Sequence, residues 1–262
     1  DVDKSFFWNQ KAANQGNAHA QTSLGKMYNY GVGVKQDFIQ GFVWYHKAAN
    51  QGDMYAQYVL GGMYADGRGV KIDTIESIYW YEKAAELGHV SARYALGVMY
   101  EKGNGVKQDY EQALAWYQKA AIQGHATAQF SLANMYYKGR GVKKDYTQAV
   151  AWYQKSSKQG NASAQSNLGL MYEFGQGVTK DYVKAFSYYQ KSANQGEANA
   201  QANLGIMYEK GRGVKKDINK ALAFYKQSNT KFANKKYQAL EKTMNCEKNS
   251  KTKLFSVYLK CV

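Results

Sequence analysis

Residues 89–124 read HVSARYALGVMYEKGNGVKQDYEQALAWYQKAAIQG, and this stretch decides the fold. Ala92, Leu96, Met99 and Tyr100 fall at helical spacing, so Val90 to Lys102 reads as an amphipathic helix. Gly97 sits inside it at a propensity cost of ~1 kcal/mol, which close helix–helix approach would offset. Gly103 and Gly105 end the helix, the first as a left-handed cap. Asp109 is a good N-cap for a second helix, and Gln112 three residues on completes a capping-box pattern. Ala113, Trp116, Tyr117 and Ala120 form that helix's apolar stripe, and Gly124 closes it.

The same 36-residue pattern recurs without insertion or deletion in units 17–52, 53–88, 89–124, 125–160, 161–196 and 197–232. Leu24, Leu60, Leu96, Leu132, Leu168 and Leu204 fill one column, and Met27, Met63, Met99, Met135, Met171 and Met207 another. All five tryptophans share a column, and 23 of the 25 glycines fall in four. Residues placed this regularly serve the geometry of the repeat. A single hairpin cannot bury its own apolar face, whereas stacked neighbours can. The expected fold is therefore all-α: a right-handed α/α superhelical solenoid of 36-residue helix-hairpin repeats, with no internal boundary across 17–232.

The repeat resembles the Sel-one-like repeat (SLR) family, cousins of the tetratricopeptide repeats. The resemblance rests on Ala92, Leu96, Gly97, Met99, Tyr100, Gly103, Gly105, Val106 and Asp109, then on Ala115 to Ala121 and Gly124, and it covers residues 1–232. It implies paired helices that act as protein-interaction scaffolds, often bacterial and exported. Some such proteins are virulence or signalling adaptors. Others look like immunity proteins encoded beside secreted phospholipase toxins. A cysteine-rich branch is linked to penicillin binding and β-lactamase activity, but this chain has no cysteine within its repeats.

The two ends depart from the pattern. Residues 1–16 match only the C-terminal half of a unit, since Asp1 aligns with Asp37. A covering first helix is missing, and the expectation is a longer native protein. Residues 233–262 read as a basic helical cap, formed as a helix pair over Asn234–Cys246 and about Lys251–Cys261. The two cysteines, Cys246 and Cys261, could meet there as a disulfide, worth ~3 kcal/mol on the loop-entropy model. The alternative is two buried free thiols. A disulfide would suit a periplasmic or exported location.

Conventional catalytic, cofactor and metal signatures are absent from the sequence, which points away from an enzyme. His19, His46, His89 and His125 read as surface or capping positions. Adjacent copies of a column would lie roughly 10 Å apart, too far to share a metal. No apolar stretch is long enough to span a bilayer.

The net charge is +15, which favours acidic partners or anionic surfaces without selecting among them. Basic residues form columns of their own at Arg68, Lys71, Lys107, Arg140, Lys143, Lys144, Lys180, Arg212, Lys215 and Lys216. These read either as a steering ridge or as a solvated loop edge. Charge alone does not make a nucleic-acid site, and contact with an anionic membrane surface stays open.

The variable positions on the first helices carry the partner signal. The face opposite the Ala/Leu/Met stripe bears Tyr55, Tyr58, Tyr94, Val98, Phe130, Tyr137, Leu170 and Ile206, with Phe174 an outlying aromatic. Glu101, Glu173 and Glu209 would give it negative charge. An exposed aromatic row is what an interface core contains; the alternative is packing against the preceding hairpin. The expected function is a non-enzymatic scaffold, without cofactor, that binds another protein on its concave face. An acidic protein or a secreted (phospho)lipase toxin is the expected partner, with an adaptor role as the competing reading.

Overall fold

The computed structural model describes the backbone of residues 2–258 and the side chains of residues 4–245. Every regular element among them is an α-helix. The helices fall into two compact units, Asp1–Lys144 and Asp145–Val262. Nothing in the spacing of the repeats marks such a division. In a repeat array each hairpin touches only its neighbours, so a division can fall between any two of them.

The first unit holds α1 (Val2–Asn14), α2 (Ala18–Tyr30), α3 (Phe38–Asn50), α4 (Met54–Asp66), α5 (Thr74–Glu86), α6 (Val90–Lys102), α7 (Tyr110–Ile122) and α8 (Ala126–Lys138). The second holds α9 (Tyr146–Lys158), α10 (Ala162–Phe174), α11 (Tyr182–Ala193), α12 (Ala198–Lys210), α13 (Ile218–Ser228) and α14 (Lys231–Tyr258).

Local chemistry sets the helix ends. Gly103 closes α6 at φ 74°, and its N–H returns to the Met99 carbonyl. Asp109 opens α7 by accepting from the N–H groups of Glu111 and Gln112. The reciprocal half of the expected capping box does not form. The Asp109 N–H donates instead to the Tyr100 carbonyl at 2.9 Å, which ties the second helix back to the first. Asp37, Asp73, Asp181 and Asp217 do the same to Tyr28, Tyr64, Tyr172 and Tyr208. The residue three places on is therefore free to vary, and Lys184 and Lys220 stand there without disturbing the cap.

Each hairpin closes over a tyrosine. Tyr45, Tyr117, Tyr153, Tyr189 and Tyr225 are among the largest fully buried side chains. The glycine inside the first helix makes room for that ring. A Cβ at Gly97 would lie 2.5 Å from Cδ1 of Tyr117, far inside contact distance. A second glycine sets the spacing between hairpins: a Cβ at Gly141, where φ is 66°, would run into the Tyr110 carbonyl. Leu60, Leu96 and Leu204 are wholly buried in the same clusters as Tyr45, Tyr81 and Tyr189, each worth about 1.5–3 kcal/mol of burial.

The C-terminal segment differs from the expected helix pair. α14 runs unbroken from Lys231 to Tyr258, because residues 247–250 offer neither glycine nor proline to stop it. Asn229, in the left-handed region at φ 48°, ends α13 ahead of it. The expected Cys246–Cys261 pairing lies outside the described side chains.

Candidate interaction groove

A clamp recurs where three of the first helices end, at Glu101, Glu173 and Glu209. In the third hairpin the Tyr117 hydroxyl donates to Glu101 at 2.7 Å, and Arg140 of the following turn approaches the same carboxylate at 3.6 Å. In the fifth, Tyr189 donates to Glu173 at 2.9 Å and Arg212 meets it at 3.1 Å. In the sixth, Tyr225 donates to Glu209, and Lys236 lies at 3.5 Å. Burial and the adjacent carboxylate push these phenols far above their ordinary range. The clamp joins a hairpin to itself and to its successor.

The junction between the second and third hairpins breaks this pattern. Ala65 stands where Glu101 and Glu173 stand, and Asn104 stands where Arg140 and Arg212 stand. With neither partner present, a groove of about 800 Å³ opens between them. Its walls include Tyr58, Tyr81, Tyr94, Ala95, Val98, Met99 and His125.

Two stacks build the aromatic wall. The Tyr58 ring lies on His89 with centroids 4.2 Å apart and planes at 20°. One repeat on, Tyr94 lies on His125 at 4.8 Å and the same angle. Each imidazole is also an N-cap: Nδ1 of His89 accepts from the Ala92 N–H at 3.2 Å, and Nδ1 of His125 from the Ala128 N–H at 3.1 Å. The capping reading of these two histidines holds. Burial lowers both imidazole pKa values from their ordinary value. Burial raises the Tyr94 phenol, against a smaller lowering by its hydrogen bond to Ser131. At neutral pH the wall is thus uncharged, aromatic and half-buried, suited to an apolar or aromatic side chain. Its volume falls in the ordinary range for ligand pockets.

The structure brings only part of the expected face together. Tyr58, Tyr94 and Val98 line one groove. Tyr55 packs beside the preceding core, with the Lys26 ammonium 4.1 Å above its ring. Leu170 and Ile206 lean on the buried clusters around Tyr189 and Tyr225, so much of their surface is spent on the chain itself. Phe130 and Tyr137 are half-buried, and Phe174 is exposed at the end of α10. Glu101, Glu173 and Glu209 do not charge an open face, because tyrosine hydroxyls and cations already engage them.

The basic columns also separate. Arg140 and Arg212 serve the clamps, and each guanidinium also sits about 5.5 Å from the centre of a tyrosine ring. Arg68 pairs with Asp66 at 3.2 Å, and Lys180 lies over the Tyr182 ring at 4.8 Å. Lys71, Lys107, Lys143, Lys144, Lys215 and Lys216 are exposed. Sequence reasoning missed Ala65, Tyr81, Asn104 and His125 as groove residues. The signal lay in two columns that read glutamate at 101, 173 and 209 and arginine at 68, 140 and 212, but alanine at 65 and asparagine at 104.

Among the described residues no group of three or more histidine, cysteine or acidic side chains could hold a metal ion, and no helix is long and apolar enough to cross a membrane.

The Sel1 repeat model matches the chain seven times, over residues 1–17, 18–53, 55–89, 90–125, 126–161, 162–197 and 198–230. A protective antigen of uropathogenic Escherichia coli with an SLR fold is 38% identical, with a TM-score of 0.89 over 92% of this chain. The match takes in 52% of that antigen, so the chain spans about half its length. A Sel1 repeat protein from Oxalobacter formigenes is 40% identical, with a TM-score of 0.73 over 81% of this chain and 87% of its own. An immunity protein from Pseudomonas aeruginosa is more distant, at 24% identity and a TM-score of 0.45 over 85% of this chain and 82% of its own; that likeness carries no argument about a partner.

Proposed function

The chain belongs to the Sel1 repeat family, and on that footing we propose that it is a protein-binding scaffold without catalytic chemistry of its own. The observation that carries the reading is the groove at Ala65 and Asn104. There the repeat gives up its own clamp and presents Tyr58, Tyr94, Val98 and His125 to an incoming side chain. The walls are preset by helix packing and by the histidine caps, which keeps the entropy loss on association small. An aromatic or apolar anchor of the partner fills the groove, and the exposed lysines raise the rate of encounter with an acidic surface.

Peptide display against the immobilised protein tests this without a partner in hand. Selected peptides should carry an apolar or aromatic anchor and lose binding to Tyr58→Ala/Tyr94→Ala. Peptides that bind this variant at full strength would place the site elsewhere.

In its finer form the proposal makes the chain a periplasmic immunity protein that occludes a secreted (phospho)lipase toxin. This form draws on the family resemblance and on the net charge of +15. Protection of liposomes from such a lipase by stoichiometric protein supports it, and lipid hydrolysis at an undiminished rate removes it in favour of an adaptor. Turnover of nitrocefin would bring back the β-lactamase reading.

A further inference from the structure

The carboxylate of the clamp is missing from the first hairpin, but the groups that would hold it are in place. Asn29 stands where Glu101, Glu173 and Glu209 stand, one methylene shorter and uncharged. The Tyr45 hydroxyl beneath it is wholly buried and has no hydrogen-bond partner within the protein, in contrast to Tyr117, Tyr189 and Tyr225. Arg68 occupies the place of Arg140 and Arg212. Its Nε is buried without a partner, while its Nη2 turns aside to Asp66. Thr22 Oγ1 and Asn29 Oδ1, on side chains 4% and 3% exposed, are likewise unengaged.

The tyrosine and threonine hydroxyls and the guanidinium are donors, and the asparagine amide becomes one when turned over. Burial raises the Tyr45 phenol, with Tyr55, Tyr30 and Asp53 adding to it, and Arg68 is near enough to pull against them. A tyrosine hydroxyl and an arginine are what meet the carboxylate at Glu101 and Glu173, and here the pair stands without one.

We propose that the partner supplies it: an aspartate or glutamate side chain of the docking protein places its carboxylate between Tyr45, Asn29 and Arg68. This inference rests on the groove reading above, since the seat lies one repeat N-terminal to Ala65 in the same column. It adds the partner's chemistry, an acidic side chain beside an apolar anchor. Such a carboxylate takes the Tyr45 hydroxyl on one oxygen and the Arg68 guanidinium on the other, as Glu173 takes the Tyr189 hydroxyl on Oε2 and Arg212 Nη1 on Oε1.

Acetate titrated into the full chain at constant ionic strength tests the seat directly, with the Arg68 Nε–Hε resonance as readout. A saturable shift is expected in the native protein. It should be lost in Asn29→Glu, which fills the seat from within and should unfold at a higher temperature. It should also weaken in Tyr45→Phe, which keeps the packing. An equal response to chloride, tighter saturation by inorganic phosphate than by acetate, or an undiminished shift in Asn29→Glu would overturn the proposal.

Groove-selected peptides give the second arm. Replacing their acidic residue with its amide should weaken binding about tenfold, the scale of one charged hydrogen bond, on the native chain and not on Asn29→Glu. Peptides that bind the groove with no acidic requirement would sink this inference and leave the groove reading standing. Acetate binding without any groove-dependent peptide would sink the groove reading, and with it the assignment of the carboxylate to a docking protein.

Discussion

Glu173→Ala is the sharpest test of what holds neighbouring hairpins together. The Glu173 side chain is 8% exposed and receives both the Tyr189 hydroxyl and Arg212. Truncation leaves a wholly buried hydroxyl without an acceptor, a loss of about 1–3 kcal/mol. The ion pair adds less, because Arg212 is 34% exposed and water screens it, so about 0.5–1 kcal/mol is reasonable there. The expected destabilisation is about 2–3 kcal/mol, which lowers the melting temperature by roughly 5–10 °C for a chain of this size.

Urea and thermal unfolding followed by circular dichroism give the total. Hydrogen exchange in α10 and α11 localises it, since a repeat array need not unfold in one step. Tyr189→Phe removes the hydroxyl and keeps the ring, so its loss should overlap with that of Glu173→Ala. The double variant should then fall short of the sum by about 1 kcal/mol or more. Additive losses, or a Glu173→Ala loss below about 0.5 kcal/mol, would refute the clamp.

Two further outcomes follow from the caps. His89 and His125 accept backbone N–H groups through Nδ1, and burial lowers both pKa values from 6.5. A lowered folded pKa contributes stability that is complete above the unfolded value and is lost as pH falls through it toward the folded one. Melting temperature should therefore drop between about pH 7 and 5, and His89→Asn/His125→Asn should flatten that slope, since Asn17 and Asn161 already cap the same position. An unchanged slope in the double variant would show that these imidazoles do not set it. At the second helices, Asp109→Ala should cost about 1 kcal/mol, whereas Gln112→Ala should cost almost nothing in chemical denaturation. Equal losses would mean that the capping box does form.

The repeat made much of this legible in advance. The bounds of α6, its left-handed Gly103 and the Asp109 cap are local chemistry, repeated often enough to read from residue types alone. Gly97 signalled a close approach, and Tyr117 is what approaches it. The clamp was harder to see, because its partners stand 39 residues apart, as Arg212 and Glu173 do. Only a comparison of two columns offset by one repeat exposes them. The reading of Leu170 and Ile206 as free surface failed for a related reason: the face opposite the stripe of one helix is partly the neighbour's core. The use of the Asp109 N–H was hidden because backbone partners leave no mark on side-chain types. Nothing in the 36-residue spacing marks the division at residues 144 and 145, because spacing records where residues fall and not how tightly they cluster.

Whether the missing clamp creates the binding site comes down to the affinity of a groove-selected peptide for Ala65→Glu/Asn104→Arg. The double substitution restores, between the second and third hairpins, the pair that Glu101 and Arg140 make in the next, and should close the space now open beside Tyr58 and Tyr94. The expected result is a folded protein with a higher melting temperature and peptide binding weakened more than about tenfold, the loss of one well-packed anchor. A variant that is equally well folded and binds the peptide as tightly as the native chain would show that the open clamp is not the binding site.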